Sequence, residues 1–293
     1  MLAERGTAAS FVWVRTLTCA LFCMLLGLGP AQASAFDTAA TGHVKLLTYN
    51  VAGLPEGLSQ SHPIVNLPQI SKLLNRYDVV LVQEDFSYPA LLRRSISHAF
   101  VSPPSTQPGL GDGLSEFSRL RFADFQRETW TACYGFIDSY NDCLAPKGFS
   151  YARHEFAPGA FVDIYDVHLD AGGGPGDRKA RENQIAQLTR AIAQHSAGQA
   201  VIVGGDTNIR RGQSDLLQRF ESDTGLTDAC AAAHCAEPAR IDRFFFRSSH
   251  ALILTAKSVV IDGHFVDARG QALSDHFAVA AEFDWQRPAP VTN

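Results

Sequence analysis

Positive charge is scarce in this sequence. Lys and Arg number 25 against 30 Asp and Glu in 293 residues, a net charge of −5. Proteins that grip long nucleic acid through its phosphates carry a basic surface, so tight sequence-independent DNA binding is disfavoured. Nuclease chemistry survives that test, because a bound cation can reverse the field locally. No segment of 20–50 residues repeats, which argues against a solenoid or propeller. The glycine-rich stretch 171–176 has neither the lysine of a P-loop nor the glycine spacing of a dinucleotide fingerprint. No CxxC spacing occurs, which makes zinc the weaker of two readings of the cysteines. The apolar run at 17–28 is short for a bilayer span of about 20 residues.

What the chain does contain begins with an address. Arg5 and Arg15 precede that apolar run, Pro30 follows it, and Ala31-Gln32-Ala33 is a small-x-small cleavage site. This is the pattern of a secretory signal peptide over 1–33, with a membrane anchor as the rival, and it predicts a secreted or periplasmic protein. A short leader over 34–43, a catalytic domain over 44–285 and a Pro-rich tail over 286–293 complete the expected organisation. Beyond Cys19 and Cys23, four cysteines remain as two local pairs. In an oxidising compartment they are expected to join as Cys133–Cys143 and Cys230–Cys235.

With 46% hydrophobic residues the chain can bury one large core or two small ones. Residues 44–50 and 78–82 read as strands, and 63–77 between them shows a helical stripe of Ile64, Leu67, Ile70, Leu73 and Leu74. Strand, helix, strand in about 40 residues marks an α/β protein. Further strands are expected at 147–151, 161–169, 201–205, 240–246 and 277–283, and helices from Asp177 and over 215–224. The stretch 102–113 reads as a surface loop.

The organising segment is Val201-Ile202-Val203-Gly204-Gly205-Asp206-Thr207-Asn208. A buried strand delivers Asp206 and Asn208 to its carboxyl end, where α/β sheets bind ligands, and the glycines admit backbone or ligand at close range. Other strand-like runs end the same way, at Asn50, Glu84, His168, Asp242, Asp275 and His276. Singly, each has an ordinary reading as a turn residue, a helix-start acid or a satisfied imidazole. Together, four carboxylates, two amides and two imidazoles are the ingredients of a hard-cation site with proton-transfer groups beside it.

Tyr49-Asn50, Gln83-Glu84, Val167-His168-Leu169, Gly205-Asp206-Thr207-Asn208, Ile241-Asp242 and Ser274-Asp275-His276 occur in the order seen in the endonuclease/exonuclease/phosphatase (DNase I-like) superfamily. The chain resembles that superfamily from about residue 45 to 282. Residues 142–149 (Asp-Cys-Leu-Ala-Pro-Lys-Gly-Phe) and His168-Leu169-Asp170-Ala171-Gly172 are similar to its neutral sphingomyelinase branch, and Asp112-Gly113-Leu114 before Ser118-Arg119 adds a further likeness.

The resemblance implies a four-layer sandwich, with two mixed β-sheets face to face and helices outside. It implies Mg²⁺ as cofactor, with Mn²⁺ or Ca²⁺ as substitutes, held by Glu84, Asn50 and Asp275. It gives His276 the role of general base with Asp242 as its partner. Asp206 would position the attacking water, and Asn208 and His168 would donate to phosphate oxygens or the leaving group. Lys147 and Arg178 are the expected substrate-binding cations; Arg178, Lys179 and Arg181 are the dense basic cluster that an inositol-phosphate substrate would need. Arg243 departs from the family's pattern, in which aromatic or histidine neighbours follow the acid.

The activity implied is an exported phospholipase C-type phosphodiesterase, acting as a monomer on a phosphodiester, with peripheral membrane contact where that is a lipid. Open alternatives are a secreted endonuclease, an inositol-phosphate phosphomonoesterase and a catalytically dead binding module. No aromatic β-hairpin for membrane insertion is evident in the sequence.

Overall fold

The computed structural model describes residues 41–136, 139–236 and 240–288, with backbone only at 139–141. The expected signal peptide over 1–33 and the tail's last residues therefore lie outside the described residues. The strands are β1 (Thr41–Asn50), β2 (Val79–Gln83), β3 (Phe100–Val101), β4 (Ser115–Ser118), β5 (Phe122–Thr129), β6 (Gly148–Ala157), β7 (Ala160–His168), β8 (Val201–Asp206), β9 (Thr227–Asp228), β10 (Asp242–Arg247), β11 (Ile253–Ile261) and β12 (Val279–Gln286). The helices are α1 (Pro63–Leu74), α2 (Pro89–Arg93), α3 (Pro175–His195), α4 (Ser214–Thr224) and α5 (Ala229–Ala232). Sheet 1 runs β11-β12-β1-β2-β4-β3, and sheet 2 runs β5-β6-β7-β8-β10-β9.

The inner strands β2, β7 and β8 are buried on both faces, whereas the outer strand β11 alternates buried and exposed residues. Between the sheets, Leu46, Val79 and Leu81 meet Ile164, Ile202 and Phe244. Outside sheet 1, Leu67, Ile70 and Leu74 of α1 pack on Leu47, Tyr49 and Val80. Outside sheet 2, Ile185, Leu188 and Ile192 of α3 and Phe220 of α4 cover Tyr165, Val203 and Phe245. Helix, sheet, sheet, helix is the four-layer sandwich that the sequence implied.

Several element boundaries differ from expectation for local reasons. β1 takes in Thr41, Gly42 and His43 from the expected leader, because β12 pairs with them as far as Gln286. α3 begins at Pro175 rather than Asp177, since proline suits a first helical position and Asp177 Oδ2 accepts the Gly174 amide at 2.7 Å. Ile64 stands exposed, so the buried stripe of α1 is Leu67, Ile70 and Leu74. The segment 115–129, without clear periodicity in sequence, supplies β4 and β5, while α2 is one short turn after Tyr88.

The topology brings the strand ends together. β1 and β2 are parallel, with Asn50 opposite Gln83, and β7 and β8 are parallel, with His168 opposite Asp206. β10 is antiparallel to β8 and starts where β8 stops, with Asp242 opposite Asp206. β12 is antiparallel to β1, so the Ser274-Asp275-His276 turn before it reaches the same edge.

Candidate active site

Sheet 1 contributes Asn50, Glu84, Asp275 and His276, and sheet 2 contributes His168, Asp206, Asn208 and Asp242. Except for Asn50, these residues line one cavity of about 890 Å³, together with Lys147. Asn50 is buried beneath its floor.

One oxygen is the hub. Asp206 Oδ2 accepts Nδ2 hydrogens from Asn50 at 3.3 Å and from Asn208 at 3.2 Å. His168 Nε2 lies 3.5 Å from it and His276 Nε2 3.7 Å. The backbone follows from this arrangement. Asn208 adopts φ +51°, which asparagine tolerates, and its amide donates to Asp206 Oδ1 at 2.9 Å. The two glycines before Asp206 serve packing: a Cβ at Gly204 would meet the Phe244 ring and Leu81, and one at Gly205 would meet the Val167 carbonyl. They admit neighbouring protein, not ligand.

Glu84 is placed by strain and by its neighbours. Its φ of +60° is unusual for a residue with a branched-off side chain, a cost of about 1 kcal/mol that persists where the surroundings enforce it. Gly53 provides the enforcement: its amide donates to the Glu84 carbonyl at 3.0 Å, an approach that a Cβ would block. Asn50 Nδ2 donates to Glu84 Oε1 at 3.0 Å, while Asn50 Oδ1 accepts the Ala52 amide at 3.1 Å. As placed, Asn50 holds two carboxylates in position.

His276 Nδ1 sits 3.1 Å from both oxygens of Asp242. Ser274 Oγ donates to the Asn50 carbonyl at 2.7 Å and fixes this turn to the end of β1. Burial opposes the His276 charge, but the Asp242 hydrogen bond and the charges of Asp206, Asp242 and Asp275 outweigh it, and the pKa rises to about 10. His168 behaves in the opposite way. Burial, with Lys147 and His276 as neighbouring cations, holds its pKa well below the ordinary range, so it is a neutral imidazole. Two histidines in one cavity thus carry different charges.

Burial lifts the Glu84 and Asp206 carboxyls above their usual range, against the pull of Lys147 and His276. Lys147 remains an ammonium: burial works against it, and Asp142, Glu84 and Asp206 more than compensate. Its Nζ bonds Asp142 Oδ1, and Asp142 Oδ2 accepts the Ala171 amide at 2.8 Å. Asp142 is a functional neighbour that sequence reasoning missed. Its five-residue spacing from Lys147 in one motif was the available signal.

Both expected disulfides form, Cys133–Cys143 and Cys230–Cys235. The first fixes Cys143, the residue directly after Asp142, to Cys133, and so anchors the chain beside the Lys147 ion pair.

The expected cluster of substrate-binding arginines is corrected. Arg178 bonds Asp215 at 2.5 and 3.1 Å on the exposed side of α3, and Lys179 pairs with Glu182. Arg181 is buried and donates to the carbonyls of Asp170 and Ala171 and to Gln213. None of the three lines the cavity; each is engaged within the protein instead. Arg243 bonds Asp228 at 2.8 Å and does not line the cavity either. Arg210 and Arg240 do line it, and single loop arginines leave no periodic trace in sequence.

The donor set fits a hard divalent cation. Ligand atoms of Asp206, Asp242 and His276 lie within 4.8 Å of one another, and Glu84 and Asp275 add carboxylates at the same cavity.

Residues 47–276 match the Endonuclease/Exonuclease/phosphatase family. The chain belongs to that family. Among curated proteins it is similar to the sphingomyelinase of Mycobacterium tuberculosis and Mycobacterium bovis, at 34% identity over 271 residues and 84% of this chain. It spans about half the length of those relatives, 53%. Among solved structures, TDP2 from D. rerio in complex with a single-strand DNA product has a TM-score of 0.63 at 17% identity, covering 83% of this chain and 99% of that one. A mutant beta toxin from Staphylococcus aureus with bound magnesium ions has a TM-score of 0.57 at 17% identity, covering 82% and 99%. These two likenesses establish a shared fold.

Proposed function

We propose that this chain is a Mg²⁺-dependent phosphodiesterase that releases the phosphocholine headgroup of sphingomyelin by direct attack of water on phosphorus. The observation that carries the reaction is the convergence of Asn50, His168, Asn208 and His276 on Asp206 Oδ2, with Asp242 behind His276. The choice of lipid rests on the likeness to mycobacterial sphingomyelinases.

Glu84, Asp206, Asp242 and Asp275 are the carboxylates available to hold the cation, with Asn50 keeping Glu84 and Asp206 aligned. Bound there, Mg²⁺ supplies charge neutralisation that lets a nucleophile approach an anionic diester. His276 Nε2 takes the proton of the attacking water, and Asp242 supports the resulting imidazolium. A divalent cation held by these carboxylates would offset the field that raises the His276 pKa and so would favour the neutral imidazole that a base needs. Neutral His168 and the Asn208 amide donate to phosphate oxygens, and the Lys147 ammonium balances charge on the transferred group. Water is the nucleophile, so no covalent enzyme intermediate forms.

Export completes the reading: the expected signal peptide and the two disulfides suit an oxidising compartment. No helix among the described residues is long and apolar enough to cross a membrane. The protein is proposed to act as a monomer. The test is to incubate it with Mg²⁺ and either sphingomyelin liposomes or plasmid DNA, each with an EDTA control. Phosphocholine release with intact plasmid is expected. Plasmid degradation without lipid turnover would make it a nuclease.

A further inference from the structure

Glu116 Oε1 stands 2.5 Å from His154 Nε2, and both side chains are fully buried. Glu116 lies on β4 of sheet 1 and His154 on β6 of sheet 2, so the contact crosses the interface between the sheets. Among the described residues neither side chain has another hydrogen-bond partner. Their other surroundings include the Phe122 ring, 5.2 Å from the imidazole. A carboxylate and an imidazole in such a place need a reason to be there. Stability does not supply it, because a buried pair of this kind is commonly no more stabilising than apolar side chains of similar volume.

The position of the pair suggests another reason. Nearer the site the same interface carries the bond from Gln83 Nε2 to Asp166 Oδ1 at 2.6 Å. At the cavity itself, Glu84 Oε1 faces His168 Nε2 at 3.9 Å. These contacts form a column. Glu116 pairs with Leu81, two residues before Gln83, and His154 pairs with Val162, four residues before Asp166. Burial and the nearby Glu116 both lift the Asp166 carboxyl, against the Gln83 hydrogen bond. Beside the column, Leu46, Val79 and Leu81 meet Ile164, Ile202 and Phe244. Apolar contact is non-directional, and packed layers can slide on it by small amounts. A polar contact between two fixed atoms resists such a slip.

We propose that Glu116 and His154 are positioning residues, whose contact sets the alignment of the two sheets and so the separation of the groups that meet at the cavity. The inference rests on the phosphodiesterase reading above and concerns how that site is held. Sheet 1 brings Glu84 and Asp275, and sheet 2 brings His168, Asp206 and Asp242. A cation or a phosphate held between them feels any slip of one sheet on the other.

The test compares the full protein with two variants. Glu116→Met/His154→Leu keeps the volume but not the contact, and Glu116→Gln keeps an oxygen for His154. Urea unfolding reads stability, and calorimetric titration with Mg²⁺ reads the site without substrate. Hydrolysis of a soluble aryl phosphodiester reads turnover free of any membrane step. The apolar variant is expected to unfold at a urea concentration no lower than the parent. Its Mg²⁺ dissociation constant should rise about tenfold. Its kcat should fall about 10- to 100-fold with KM little changed, the signature of misplaced reacting groups. Glu116→Gln should stay near the parent in all three. An apolar variant with parental metal affinity and kcat overturns the proposal. So does one that fails to fold, which would make the pair a requirement of stability. A Glu116→Gln variant as impaired as the apolar one overturns it too. A parent that binds Mg²⁺ but cleaves no diester defeats the phosphodiesterase reading alone, and the metal titration then decides the alignment. A parent that does neither overturns both.

Discussion

Gln83 Nε2 donates to Asp166 Oδ1 at 2.6 Å across the gap between the two sheets. Both side chains are fully buried, and Gln83 also bonds Thr48 Oγ1 at 3.1 Å. Gln83 precedes Glu84 and Asp166 lies two residues before His168, so the bond ties the strand that leads to Glu84 to the strand that ends at His168, just beneath the site. Burial lifts the Asp166 carboxyl well above its usual range, with Gln83 pulling the other way, so the site favours the protonated form.

Removing one partner of this bond should cost more than changing the other's chemistry. Gln83→Leu leaves Asp166 unsatisfied and is expected to lower stability by about 1–3 kcal/mol. Asp166→Asn keeps an acceptor oxygen and carries no charge, and is expected to stay near the parent at neutral pH. Urea unfolding of both variants measures this; equal losses would show that the bond is not the connecting element.

His276→Ala is expected to lower turnover by about 10²–10⁴-fold while the protein still folds. The same residue governs a pH effect in EDTA. Its folded pKa of about 10 exceeds the ordinary 6.5, so the folded state holds the extra proton between those values. That stabilisation is complete below pH 6.5 and is lost as pH rises toward 10. Thermal midpoints over this range should fall in the parent and flatten in Asp242→Asn, whose neutral amide no longer favours the imidazolium. A parent profile that does not fall would place the imidazole in its neutral form.

Asn50→Ala removes the amide that aligns Glu84 and Asp206. The Mg²⁺ concentration for half-maximal activity should rise about 10- to 100-fold, with activity recovered at saturating metal. Calorimetric titration with Mg²⁺ reads the same change without substrate. An unchanged midpoint would mean that Asn50 does not support the cation.

Cys133→Ser/Cys143→Ser opens the loop beside Asp142. Loss of a crosslink over ten residues should cost about 2–3 kcal/mol. Looser placement of Asp142 and Lys147 should lower turnover beyond what unfolding explains. Activity measured well below the variant's midpoint separates the two effects; full turnover there would restrict the disulfide to stability.

The strand ends were legible because β-branched runs stopping at polar residues carry a strong local signal, as at Val201–Asp206. Their order along the chain placed Glu84, Asp206, Asp242 and His276 in one family, and the fold brings them to one edge. Arg178 misled because charge density says nothing about partners: Asp215, distant in sequence, occupies it. Asp166 was invisible for the opposite reason. On an alternating strand it reads as a solvent-facing acid, and only a second sheet packed over it makes it a buried one. The cavity's apolar lining was hidden too, since Leu58, Leu144 and Phe277 share no periodicity and come to one cavity only through tertiary closure.

β12 lies between β1 and β11, so the first and last strands described are hydrogen-bonded neighbours. Sheet 2, by contrast, is built from one uninterrupted stretch between β5 and β10. During synthesis the second sheet can form while the first still lacks a central member. His276 arrives with the strand that completes it. On the proposed reading, a nascent chain stays hydrolytically silent until the strand that follows His276 has emerged and paired with β1.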